Sequence, residues 1–154
     1  MTKTYEIIDF EDHHQPSFAA LNYAWIEKYF EVEQMDRDAL DKPREKIYKT
    51  GGHILLAKAE DQIIGTCALI KLDETYYEMA KMAVSEKHQG AGIGYALGKA
   101  ILEKAKSLGA KTVYLETNDV LAPALKLYEK LGFQHIEHKE TPYCRCNVQM
   151  ELEL

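Results

Sequence analysis

Apolar positions along the chain follow two different periods. Short runs of apolar and β-branched residues, bounded by turn residues, predict strands. The predicted strands cover residues 4–10, 53–59, 63–72, 76–84, 112–117, 133–139 and 145–153. Apolar residues spaced three and four apart predict helices over residues 18–30, from Ile93 to a glycine stop at Gly109, and from about Pro123 to Gly132. The polar stretch at residues 31–45 predicts a short helix and a loop.

This order of elements predicts an α/β chain with a mixed sheet and helices on both of its faces. A length of 154 residues, with 46% hydrophobic and 29% charged residues, is that of one ordinary globular domain, residues 1–154. Strict alternation along residues 76–84 places Glu78, Ala80, Met82 and Val84 on one face unless a bulge interrupts the strand.

Composition excludes several classes of partner. The net charge of −6 argues against nucleic acid and is compatible either with a cationic substrate or with solubility alone. No apolar run is long enough to span a bilayer, so we expect a cytoplasmic protein without a membrane partner. The histidines and the three cysteines lack metal-ligand spacing, and no metal site is expected. Two of the cysteines, Cys144 and Cys146, would point to the same face of a strand.

A glycine-rich loop stands between a predicted strand and a predicted helix. Such a loop, with the free N–H groups of the helix start, is typical of a phosphate-binding site. The loop residues are Gln89, Gly90, Ala91, Gly92, Ile93 and Gly94. The dinucleotide fingerprint fails because Tyr95 or Leu97 stands where it needs Gly or Ala. The nucleotide-triphosphate loop fails because Ile93 and Ala100 stand at two required positions.

The pattern Q/R-x-x-G-x-G/A, present as Gln89, Gly92 and Gly94, resembles the acyl-CoA-binding loop of the GNAT superfamily of N-acetyltransferases. A second segment, Tyr128 to Gly132-Phe133, is similar to that family's helix ending in Tyr-x-x-x-Gly-Phe. The resemblance covers about the middle half of the chain. It implies the GNAT fold, with a mostly antiparallel twisted sheet whose fourth and fifth strands splay apart to admit acetyl-CoA.

The resemblance also implies roles for particular residues. Tyr128 would protonate the departing CoA thiolate, and Glu78 would be the general base, directly or through water. The residues implied to hold acetyl-CoA are Met82, Val84, Gln89, Gly90, Ala91, Gly92, Ile93, Gly94, Tyr95, Asn118 and Tyr128. Among these, the Met82 N–H would donate to the thioester oxygen and the Gln89–Gly94 loop would hold the pyrophosphate. Gln89 replaces the more frequent arginine, so one charged contact to phosphate is missing.

We therefore expect an acetyl-CoA-dependent N-acetyltransferase acting on a primary amine of a small or amino-acid-like molecule. The alternatives are a protein or peptide acetyltransferase and a non-catalytic acyl-CoA-binding module. The acceptor is expected to enter over residues 25–44 and 138–145. Five aromatic residues there or nearby could line its pocket (Trp25, Tyr29, Tyr76, Tyr77 and Tyr143), and Arg145 could bind a substrate carboxylate. Pairing of two protomers is left open.

Overall fold

The computed structural model describes residues 4–137 and 139–154, and its centre is one seven-stranded sheet. The strands lie side by side in the order β1-β2-β3-β4-β5-β7-β6. All neighbours are antiparallel except β4 and β5, which are parallel. The strands are β1 (Glu6–Asp9), β2 (His53–Ala59), β3 (Gln62–Lys71), β4 (Tyr76–Val84), β5 (Thr112–Thr117), β6 (Gln134–His135) and β7 (Val148–Glu153).

In the described part of the chain, four α-helices cover the two faces of the sheet. They are α1 (Gln15–Tyr29), α2 (Gln34–Asp41), α3 (Ile93–Ser107) and α4 (Ala122–Leu131), with a short π-helical turn at Arg44–Tyr48. The predicted mixed sheet with helices on both faces is confirmed. Within the described ranges, none of the helices combines the length and the apolarity that crossing a membrane requires.

Alternate residues of β2 belong to two separate cores. Leu55 packs with Leu97 of α3, while Leu56 packs with Phe18 of α1. These side chains are at least nine-tenths buried, and each contributes about 1.5–3 kcal/mol of hydrophobic stabilisation. The period-2 pattern thus places α1 and α2 on one face and α3 and α4 on the other.

The last two predicted strands are shorter than expected. β6 is only Gln134–His135, and β7 begins at Val148 rather than at residue 145. Between them, local bonds replace a strand ladder: the Tyr143 N–H donates to the Thr141 hydroxyl, 3.2 Å away. Pro142 has no N–H to give to a ladder. The prediction that Cys144 and Cys146 share a strand face was wrong, because both lie before β7; His138 lies outside the described residues.

A β-bulge in β4 breaks the predicted alternation. Across β3, Thr66 faces Ala83 while Ala68 faces Ala80, so two residues of β4, Lys81 and Met82, oppose one residue of β3. Lys81 has φ of 52°, in the left-handed region. The four alternate residues of β4 that were predicted to share one face therefore lie on two faces. Glu78 and Ala80 face α1 and α2, whereas Met82 and Val84 pack against the core under α3.

Candidate active site

The fourth and fifth strands separate partway along their length. β4 pairs with β5 only through Tyr76, Tyr77 and Glu78, although both strands continue beyond these pairs. On its other side β5 pairs with β7 along all six of its residues, which holds it in place. The predicted splay of the fourth and fifth strands is confirmed, and it leaves the edge of β4 after Glu78 unpaired with β5.

A cleft of about 520 Å³ occupies this opening. It is lined by nearly all the residues that the motifs singled out, which are Glu78, Met82, Val84, Gln89, Gly90, Gly92, Ile93, Gly94, Tyr95, Asn118 and Tyr128. Ala91 is the exception and is exposed outside the lining. The cleft has a glycine end, formed by residues 89–94, and a charged end, formed by Glu78, Lys81, Glu116, Tyr143 and Arg145.

The glycine end is shaped by backbone. Gly90 and Gly92 have φ of 86° and 80°, which side-chain-bearing residues rarely adopt. A Cβ on either residue would meet no atom within 4 Å, so the space in front of them is open. Gly92 immediately precedes α3, whose first N–H groups have no partner in the helix. The arrangement presents amide donors and the positive end of a 15-residue helix to an open space, which suits an anionic group.

Two side chains that were predicted to contact acetyl-CoA, those of Gln89 and Asn118, are hydrogen-bonded to the protein's own backbone. The Gln89 side-chain amide donates to the Val84 carbonyl, 3.2 Å away. Asn118 donates to the Arg145 carbonyl at 2.7 Å and accepts from the Val120 N–H at 2.9 Å. Asn118 therefore ties the end of β5 to the segment before β7. His88, directly before the glycine loop, also lines the cleft, and its buried Nδ1 has no hydrogen-bond partner among the described residues.

Glu78 is the last β4 residue that pairs with β5, and it lines the cleft. Its carboxylate makes no hydrogen bond within the described part of the chain. Burial raises its pKa to about 7, the nearby Glu116 carboxylate adds to the rise, and the Lys81 ammonium opposes it. A carboxyl group with this pKa exchanges a proton readily at neutral pH.

Tyr128 reaches the same cleft from α4, on the opposite face of the sheet. Its ring packs edge-on against Phe133, with 6.3 Å between centroids, and it is 9% exposed. Burial raises the pKa of its hydroxyl, with a smaller contribution from Cys67. In the ranges 4–137 and 139–154 this hydroxyl has no hydrogen-bond partner. It therefore keeps its proton at neutral pH and is free to donate it.

Behind the charged end lies a buried ion cluster centred on Asp36 of α2. Lys81 Nζ is 2.8 Å from Asp36 Oδ1, and Arg145 binds both Asp36 oxygens, at 2.6 and 2.7 Å. Burial alone would raise the pKa of Asp36, but the bonds from Arg145 and Lys81 outweigh it and lower the pKa to about 2. The expectation that Arg145 binds a substrate carboxylate is not what the structure shows, because its guanidinium is paired with Asp36.

Asp36 and Lys81 were missed from the sequence. One signal was available: Lys81 is a single cation inside the otherwise apolar second half of β4. Nothing in the pattern of α2 marks Asp36, whose partners lie 45 and 109 residues away. Glu116, also missed, accepts hydrogen bonds from Tyr114 at 2.7 Å and from Thr141.

Three of the five predicted aromatic residues line the cleft, namely Trp25, Tyr29 and Tyr143. Tyr77 is buried in the core under α3, and the Tyr76 hydroxyl pairs with Glu151, so neither contributes. For metals, the described residues contain no group of three or more His, Cys, Asp or Glu side chains arranged to hold an ion.

Comparison with known proteins identifies the family of this chain. Residues 10–133 match the model of the acetyltransferase (GNAT) family. The uncharacterized N-acetyltransferase YjgM of Escherichia coli (strain K12) is 31% identical over 115 residues, which are 71% of this chain and 69% of that protein.

Solved structures agree with this match. An acetyltransferase of the GNAT family from Staphylococcus aureus Mu50 has a TM-score of 0.88, 21% identity, and coverage of 97% of this chain and 98% of its own. A Bacillus subtilis acetyltransferase in complex with CoA has a TM-score of 0.74, 26% identity, and coverage of 97% and 99%. By its family match, its relatives and its splayed sheet, the chain belongs to the acetyltransferase (GNAT) family and is an N-acetyltransferase.

Proposed function

We propose that the protein transfers an acetyl group from acetyl-CoA to a primary amine of a small or amino-acid-like molecule by direct attack on the thioester. The observation that supports this most strongly is the meeting of Glu78, with its pKa near 7, and the unpartnered Tyr128 hydroxyl in one cleft with the glycine end. The small size of the acceptor is inferred from the side chains of Trp25 and Tyr143, which line the wall of the cleft beside Arg145.

The residues present fit acetyl-CoA. The open space before Gly90 and Gly92 and the start of α3 suit a pyrophosphate. The edge of β4 after Glu78, unpaired with β5, offers backbone donors and acceptors to an extended amide-containing arm. The Bacillus subtilis structure was solved in complex with CoA, which supports the same ligand here.

When bound, acetyl-CoA supplies an acetyl group activated as a thioester. Glu78 would take one proton from the acceptor ammonium and pass it to solvent, which leaves the nitrogen lone pair free to attack the thioester carbon. The Met82 N–H, which belongs to the bulge, would donate to the carbonyl oxygen, where negative charge develops. As the C–N bond forms and the C–S bond breaks, the Tyr128 hydroxyl would give its proton to the leaving sulfur and recover the second proton that the nitrogen releases.

A thiol-release assay tests the proposal. The purified protein is incubated with acetyl-CoA and with polyamines, amino acids, aminoglycosides and short peptides in turn, and free CoA thiol is followed. Release that depends on one of the small amines is the expected result. Release with peptides alone would replace the small acceptor by a protein acceptor, and tight acetyl-CoA binding without release would support a non-catalytic module.

Replacing Tyr128 by Phe tests whether Tyr128 is the general acid that protonates the leaving sulfur. We expect kcat to fall about a hundredfold, because the proton donor is lost while the ring still packs on Phe133. The affinity for CoA, measured by calorimetry, should stay within about twofold. A variant that turns over acetyl-CoA at the wild-type rate would remove Tyr128 from the mechanism.

A further inference from the structure

The Asp36 carboxylate has no capacity left for a substrate. It is completely buried, and it accepts four hydrogen bonds. Oδ1 accepts from Lys81 at 2.8 Å and from Arg145 at 2.6 Å, while Oδ2 accepts from Arg145 at 2.7 Å and from the Glu33 N–H at 2.9 Å. A buried carboxylate so completely paired is held rigidly, and so are the cations that it holds.

On one side Asp36 holds the bulge of β4. Lys81 has φ of 52°, a conformation that costs a side-chain-bearing residue free energy and persists only where surroundings impose it. Its side chain is 5% exposed, and its ammonium is paired with Asp36. The bulge follows Glu78, which faces α1, and includes Met82, which packs against the core under α3. The position of Lys81 thus governs how both residues enter the cleft.

On the other side Asp36 holds the segment that precedes β7. Arg145 stacks on Tyr143, with 4.5 Å from its guanidinium carbon to the ring centroid. The Arg145 carbonyl accepts the 2.7 Å bond from Asn118, which follows β5. A continuous series of contacts therefore runs from β4 through Lys81, Asp36 and Arg145 to the end of β5. It bridges the sheet beyond Glu78, where the two strands no longer pair.

We propose that Asp36 is a positioning residue for the transfer reaction: it bridges the splayed strands and fixes the β4 bulge, and so sets where Glu78 and the Met82 amide stand in the cleft. This inference rests on the proposed function. The competing assignment, a carboxylate-binding pair formed by Lys81 and Arg145, requires cations that Asp36 already binds.

Three variants test the proposal. Asp36→Asn weakens the bridge. Asp38→Asn makes the same chemical change on the same helix, where the Asp38 carboxylate accepts one hydrogen bond within the described residues, from the Gln34 side-chain amide at 2.9 Å. Lys81→Met keeps the length of the side chain and leaves the Asp36–Arg145 pair intact, so it folds even if Asp36→Asn does not. Steady-state rates, CoA affinity and pH–rate profiles are measured for each with the best amine of the panel.

We expect Asp36→Asn to lower kcat about tenfold to a hundredfold and Lys81→Met about tenfold, since small displacements of reacting groups are costly. The CoA dissociation constant should stay within about twofold, because the glycine end is untouched. The acid limb of the Lys81→Met profile should move to higher pH, since the lost ammonium lowers the pKa of Glu78. Asp38→Asn should match the wild-type protein.

Other outcomes would distinguish the positioning role of Asp36 from the carboxylate-binding pair and from a failure of the proposed function. Wild-type kcat and an unmoved acid limb in Lys81→Met would overturn the positioning role. A loss confined to KM for the amine, largest for amines that carry a carboxylate, would overturn it in favour of the carboxylate-binding pair. A wild-type protein that acetylates no amine would instead overturn the proposed function.

Discussion

The two ends of the cleft are built by different means. The glycine end is made of six consecutive residues whose backbone conformation and helix start create the site. The charged end is assembled from side chains of β4, β5 and the segment before β7, and the ion cluster behind it joins them to α2, with partners as far as 109 residues apart. A local backbone site can be recognised as a motif, whereas a site made of long-range side-chain contacts cannot. The donor of the reaction is therefore easier to identify than the acceptor.

The difference also has an energetic side. Open space in front of Gly90 and Gly92 means that the glycine end depends on backbone shape. The charged end depends on exact pairing, since removing one member of a buried ion pair leaves an uncompensated charge. Changes at the glycine end should therefore act on CoA affinity, and changes at the charged end on the rate of the chemical step.

The largest effect is expected from Glu78→Gln, at the charged end. Loss of a general base lowers rates by about 10²–10⁴-fold, so kcat should fall by that order. In the wild-type protein the rate should rise as the pH passes about 7, where the Glu78 carboxyl loses its proton, and this limb should be absent in the variant. Glu74→Gln is the matched control, because the Glu74 side chain is 91% exposed. Equal rates for all three proteins would remove Glu78 from the mechanism.

A smaller effect should follow from Gly92→Ala, at the glycine end. The backbone there has φ of 80°, so alanine costs about 1 kcal/mol and displaces the loop from its phosphate-binding shape. We expect KM for acetyl-CoA to rise about tenfold with little change for the amine. Gly109→Ala carries the same strain, with φ of 95° and open space around it, at the far end of α3. If both variants weaken CoA binding equally, the glycine end has no special role.

The smallest effect concerns stability. The folded-state pKa of Glu78, about 7, is above its ordinary value of 4.5, so its contribution to stability is complete below pH 4.5 and is lost as the pH rises through 7. The free energy of unfolding of Glu78→Gln should therefore be about 1 kcal/mol higher than that of the wild-type protein at pH 8 and equal to it at pH 4. Denaturant titrations at both pH values measure this, and an equal gain at both would contradict it.

Much of the fold followed from the spacing of apolar residues. The apolar runs of β2 to β5 and the 3.6-residue period of α3 predicted nearly the correct boundaries, because the central strands are buried on both faces of the sheet and α3 buries one face on it. β6 and β7 were predicted too long, because the segment between them pairs through side chains and local turns instead of a ladder. The shared face of Glu78 and Met82 was predicted incorrectly, because a bulge leaves no trace in hydrophobicity.

The amino-acid sequence by itself determined the helices, most strands, the glycine loop and the positions of Glu78 and Tyr128, since each depends on neighbours within a few residues or on a local motif. Only the tertiary structure decided that Lys81 bulges, that Asp36 holds both Lys81 and Arg145, and that Asn118 joins this bridge. These contacts exist because folding removes charged groups from water, and a buried charge is stable only where a distant segment supplies its partner.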